Sequence, residues 1–127
     1  MDTRTKILTV GQANEILRRN GRRMAVVSGY FDPLLAERAE RLEEIRRGSG
    51  ALLVLVAQPR QPILPARARA ELVAGLAAVD YVVAPEGAET LDAAVLATAI
   101  HEEEADASRQ EALAGVVHRR QVAGEGS

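Results

Sequence analysis

The sequence contains no cysteine and no tryptophan, and its only lysine is Lys6. Without thiols there can be no disulfide, no zinc–thiolate site and no thiol nucleophile. Aromatic side chains are almost missing, with one Phe and two Tyr. Stacking platforms for single-stranded nucleic acid need several exposed rings, so that class is set aside. An excess of positive charge is missing too. The formal net charge is −2 and the pI about 5.7. A nonspecific nucleic-acid binder neutralises phosphates with a positive excess, which this chain lacks. No apolar run reaches transmembrane length, and Met-Asp-Thr-Arg-Thr-Lys at the start leads into no apolar core of a signal peptide. The expectation is a cytoplasmic protein with no membrane and no nucleic-acid partner.

What is present suits a single α/β domain. The chain has 127 residues, 47% apolar and 27% charged. That leaves no room for two independent cores. The core has to be built from Leu, Val, Ile and Ala. Thr9-Val10-Gly11-Gln12 has capping-box spacing and predicts a helix over Val10 to Asn20, stopped at Gly21. Met24 to Val27 is a short apolar run that suits a buried parallel strand. From Leu35 the apolar residues Leu35, Ala39, Leu42 and Ile45 recur near helical spacing. Glu37/Arg41 and Glu43/Arg47 add favourable i,i+4 pairs, and Gly48-Ser49-Gly50 ends the helix.

Ala51 to Ala57 is continuously apolar and reads as a central strand covered on both faces. Pro59, Pro62 and Pro65 exclude regular structure between Gln58 and Pro65. Pro65 then opens a helix over Ala66 to Ala77, with Leu72, Val73 and Leu76 inward. Tyr81 to Ala84 is a third strand, stopped by Pro85-Glu86-Gly87. Thr90 to Ile100 fits either a helix followed by a short strand or one longer helix. Glu102 to Arg120 reads as helix, with Ala105, Ala112, Leu113, Val116 and Val117 inward. The domain is expected over residues 1–122, with a disordered tail at 123–127. Alternating strands and helices predict a small Rossmann-like three-layer fold with an open parallel sheet of three to four strands. Such a sheet has exposed edges, and a homodimer is the expected remedy.

In open parallel sheets, ligands sit beyond the carboxyl ends of the strands. The first such end is Val27-Ser28-Gly29-Tyr30-Phe31-Asp32-Pro33-Leu34-Leu35-Ala36-Glu37-Arg38. A glycine directly after a strand lets backbone approach a ligand, and a helix N-terminus follows it, which favours a phosphate. A plain tight turn has the same spacing.

Gly29, Phe31 and Asp32 match the Gly-x-Phe-Asp-x-x-His-x-Gly-His signature of the cytidylyltransferase-like nucleotidyltransferase superfamily. The stretch most resembles the heptose-phosphate adenylyltransferase and glycerol-3-phosphate cytidylyltransferase branch. Pro65, Arg69, Leu72 to Leu76, Ala78-Val79-Asp80 and Tyr81-Val82-Val83 follow at the family's spacing. Lys6-Ile7-Leu8-Thr9 and Gly21-Arg22-Arg23 resemble its lead-in. The resemblance covers roughly residues 5 to 85 and implies nucleotide or phosphate binding at Gly29, Tyr30, Phe31, Asp32, Arg38 and Arg69. The implied ligand is CTP or ATP with magnesium, if nucleotide binding persists; no protein metal site is expected.

The signature departs from the family at its chemistry. The two histidine positions are Leu35 and Arg38, and the glycine between them is Glu37. In the family those histidines steady the charge that builds on the phosphates. Leu35 donates nothing, Glu37 repels phosphate if it points inward, and Arg38 keeps a donor. The later Ser/Thr- or Lys-containing signature has no counterpart after Ala84. Arg69 can be a nucleotide contact or a surface arginine. Asp32 can serve a ligand or hold the turn. Phe31 can pack the core or touch a base. His101-Glu102-Glu103-Glu104 reads as a solvated acidic helix start, and His118 as a surface or interface residue.

Three functions follow as expectations. The first is a catalytically degenerate nucleotidyltransferase-fold protein with residual nucleotide or phosphate binding. The second is a non-catalytic dimeric interaction module whose ancestral site is plugged, with Leu34 and Leu35 packed against a partner or the C-terminal helix. The third is an active cytidylyl or adenylyl transferase with an altered site.

Overall fold

A computed structural model describes residues 2–20, 23–85 and 90–103. The predicted stop at Gly21, the helix beyond residue 103, His118 and the tail lie outside the described residues. The fold is α/β, with five parallel strands in the order β1-β4-β3-β2-β5. The strands are β1 (Ile7–Leu8), β2 (Met24–Gly29), β3 (Ala51–Val56), β4 (Tyr81–Val83) and β5 (Ile100–His101). The helices are α1 (Val10–Asn20), α2 (Ala36–Arg47), α3 (Ala66–Ala74) and α4 (Ala93–Thr98). The count exceeds the expected three to four strands because of the two-residue edges β1 and β5, each too short for a periodic signal.

The sheet is covered on both faces, giving three layers. Leu42 and Ile45 of α2 pack with Ala70, Val73 and Ala74 of α3 against Val27, Leu52, Val54, Val56 and Val82. On the other face Val10, Ala13 and Leu17 of α1, with Leu91, pack against Met24, Val26, Leu53, Leu55 and Val83. Alternation along β3 therefore separates the two cores. Both faces are apolar, as a continuous apolar run requires.

Local chemistry explains the helix ends. Gln12 N–H donates to Thr9 Oγ1 at 3.1 Å, and Thr9 N–H donates to Gln12 Oε1 at 2.9 Å. The capping box is therefore reciprocal, as its spacing predicts. Gly48 caps α2, donating back to Ile45 and Arg46 carbonyls.

Two expectations for α3 do not hold. Leu72 is 47% exposed, because Arg69, Ala70, Val73 and Ala74 form the buried face and Leu72 is turned about 100° from Val73. The helix also ends at Ala74, so Leu76 lies past it. In the region read two ways, a short helix followed by a strand is found: α4 and then β5. His101 is therefore an edge-strand residue and not the start of an acidic helix.

The order of the strands positions the site. The chain steps from β2 to β3 to β4 in one direction, then returns past them to lay β5 on the free side of β2. The carboxyl ends of β2 and β5 lie at this reversal, where open α/β sheets place their ligands.

Thr9→Ala removes half of the capping box and is expected to cost about 1 kcal/mol. Chemical denaturation should show this as a lower midpoint with an unchanged slope.

Candidate functional site

β2 runs through Gly29, so the glycine lies inside the strand, paired with Val56, and not after it. Its carbonyl accepts Ala57 N–H at 2.8 Å. The chain then turns at Phe31, which has a φ of 50°. A bulky side chain in the left-handed region costs about 1–3 kcal/mol and persists only when its surroundings fix it. The surroundings here are the core: the Phe31 ring is 1% exposed and packs in the cluster with Leu42 and Val56. Core packing is therefore the role of Phe31 in this fold. The next peptide bond, Asp32–Pro33, is cis.

Asp32 is 5% exposed and gives both carboxylate oxygens to the β3–α3 loop. Oδ2 accepts Ile63 N–H at 2.6 Å, and Oδ1 accepts Leu64 N–H at 2.7 Å. Two short charge-assisted bonds join loops that are 31 residues apart in sequence. The aspartate holds backbone amides, but of a second loop and not of its own turn.

Of the two readings weighed from sequence, the surface one fails for Arg69. It is not on an exposed helix face, being 0% exposed. Its guanidinium is engaged with the chain's own oxygens. Nε donates to Leu64 O at 3.1 Å, Nη1 to Ala57 O at 2.7 Å and Tyr30 O at 3.1 Å, and Nη2 to Gln58 Oε1 at 2.7 Å. Burial pushes the guanidinium below its ordinary range, and the nearby Asp32 carboxylate opposes that shift. Asp32, Arg69 and the Tyr30 carbonyl are thus brought together, but as a staple between the β2–α2 and β3–α3 loops.

Arg38 belongs to a different group. Leu35 is the N-cap of α2 and offers no side-chain cap. Leu34 is partly buried against the main core, so it packs on its own domain. One turn into α2, Arg38 Nη1 donates to Glu102 Oε2 at 3.3 Å. Arg41 Nε donates to Glu102 Oε1 at 3.1 Å, and Arg41 Nη1 to Glu44 Oε2 at 3.4 Å. The bond to Glu102 pushes Arg41 above its ordinary value. Glu37, where the family signature has glycine, is exposed.

Glu102 follows directly on β5. Its N–H donates to Ser28 O at 2.7 Å, which extends the β2–β5 pairing. Beside it, His101 Nδ1 lies 2.7 Å from Ser28 Oγ, and Nε2 lies 2.9 Å from Leu96 O. A carbonyl can only accept, so Nε2 carries a proton. In the neutral ring Nδ1 then accepts from the Ser28 hydroxyl. Ser28 is fully buried, so this pair is a strut between β2, β5 and α4 and not an exposed nucleophile. Sequence reasoning missed Glu102, Arg41, Ser28 and His101. The only available signal was the topology that returns β5 to β2.

Among the described residues, cavities of about 280, 550 and 380 Å³ lie away from Gly29, Tyr30, Phe31, Asp32, Arg38 and Arg69. Among the described residues no group of three or more His, Asp or Glu could hold a metal ion. Asp32, the only aspartate of the β2–α2 segment, already accepts a backbone amide on each oxygen. No protein-family model matches the chain, and no curated protein matches it.

Arg69→Met leaves four part-buried acceptors without their donor and is expected to cost about 2–3 kcal/mol. Arg69→Lys restores the charge but not the fork, and should recover less than half of that loss in a denaturant titration.

Proposed function

We propose that this chain is a nucleotidyltransferase-like domain that has lost nucleotidyl transfer and whose ancestral mouth is closed by its own side chains. The observation that carries the reading is the engagement of Arg69. The residue that the family resemblance assigns to nucleotide is sealed from solvent with four bonds to the chain itself. Asp32 is filled in the same way. Leu35 supplies no donor, and Arg38 is paired with an internal carboxylate. Stabilising charge on a leaving pyrophosphate requires preorganised donors aimed at it, and removing one typically lowers turnover about 100- to 1000-fold. Incubation of the chain with CTP or ATP and magnesium is expected to release pyrophosphate at the background rate. Release above background that depends on protein concentration refutes the reading.

A second copy of the chain is the partner that fits best. Both sheet edges are strands of only two residues. The β2–β5 register begins at Val27, so among the described residues Met24 to Val26 have a strand only on the β3 side. The cavity of about 550 Å³ at this edge is lined by Leu17, Met24, Val26, Val95 and Ile100. Exposed edges and apolar surface of this kind favour association. Sedimentation equilibrium at micromolar concentration should give twice the 13.6 kDa chain mass. A single species at 13.6 kDa removes the dimer.

A further inference from the structure

We propose that the Ser28–His101 pair is an acid-sensitive latch, which fastens β5 to the sheet while the imidazole is neutral and lets it go when His101 takes up a proton.

The latch follows from counting hydrogens. His101 Nε2 lies 2.9 Å from the Leu96 carbonyl, and Nδ1 lies 2.7 Å from Ser28 Oγ. The first contact needs a hydrogen on Nε2, because a carbonyl only accepts. The neutral ring then has a bare Nδ1, and the Ser28 hydroxyl donates to it. An imidazolium carries hydrogen on both nitrogens. Nδ1 and Oγ then each hold one, and only one of the two can lie between them. Ser28 is fully buried, and among the described residues its hydroxyl has no polar partner besides His101. The displaced hydroxyl hydrogen is left without an acceptor away from water, which is unfavourable. The ring has an exit that the hydroxyl lacks. Its side chain is 53% exposed, so the cation can turn to water. Turning away breaks the contacts to β2 and to α4 together.

The charges around the ring do not reverse this. Neither β2 (MAVVSG) nor α4 (AAVLAT) carries an ionisable side chain. Asp92, which precedes α4, lies 3.9 Å from Arg18. α2 presents Arg38 and Arg41, and both bond Glu102. Glu103 is the carboxylate beside the ring, with Oε2 3.7 Å from Nδ1. That is beyond hydrogen-bond reach, and an ion pair to a half-exposed ring is weak, whereas an orphaned buried hydroxyl is not. Glu103 also competes with Ser28 for a charged Nδ1. Little else holds β5. It has two residues, both exposed, with two ladder positions on β2 and the Glu102 amide bond to Ser28 O at 2.7 Å. Short edge elements with few buried contacts open locally at low cost.

Hydrogen exchange of the Glu102 amide tests the latch. It is followed in native chain and in Ser28→Ala at about pH 7.5 and about pH 5.5, which bracket the ordinary charge change of an imidazole, with each rate divided into that of an unprotected amide. Native protection should fall at least about 10-fold on acidification. In Ser28→Ala there is no hydroxyl hydrogen to displace, and the change should stay under about 2-fold. His118, the other histidine, is present in both proteins, so the difference between them reports His101. Equal native protection at the two pH values overturns the proposal, as does a fall of native size in Ser28→Ala. Should Ser28→Ala fail to fold, the ring nitrogens of native chain decide by NMR. At the higher pH the hydrogen should sit on Nε2 with Nδ1 bare, and a ring found with the hydrogen on Nδ1 overturns the proposal.

Discussion

The carboxyl end of the sheet depends on one buried guanidinium. Arg69 is withdrawn from water, and desolvating a positive charge is unfavourable unless its donors are met. Here they meet three backbone carbonyls and one side-chain amide oxygen. Hydrogen bonds to a charged group are worth about 1.5–3 kcal/mol each, which is why the arrangement survives its desolvation cost. Asp32 supplies the matching negative charge and fastens the same loop through its amides. Together they fix the position of Phe31 in a backbone region that a phenylalanine does not adopt unaided.

That staple decides what the site can do. Asp32 and the Arg69 guanidinium are engaged by the chain's own backbone and by Gln58. Asp32 and Arg69, which read as ligand contacts in the sequence, tie the two loops together. At the neighbouring strand pair Glu102 faces Arg38 and Arg41. The domain thus sets a buried staple beside an ion cluster built on a short edge strand.

Much of the fold was legible because its signals are local. The capping box at Thr9 and Gln12, the apolar run of β3 and the three prolines after it each state their structure within a few residues. The edge strand β1 was not legible, since two residues have no period, and β5 was legible only as one of two readings of Thr90 to Ile100. The inward face of α3 was misjudged because Leu72 is apolar and Arg69 is charged, whereas tertiary bonds bury the arginine and leave the leucine outside. At the site, Gly29, Asp32 and Arg69 stood out by type and spacing. Their roles did not, because roles came from partners such as Leu64 O and Ile63 N–H, which are main-chain atoms with no sequence label. Glu102 was hidden for a related reason: its neighbours in space are more than 60 residues away.

The staple reads main chain at three of its four contacts. A carbonyl oxygen is the same whatever side chain its residue carries. Ala57, Tyr30 and Leu64 are therefore free to drift in identity, so long as the backbone path is kept, while position 69 is not. Mutational tolerance in this region should be lopsided: permissive loops arranged around a single intolerant arginine.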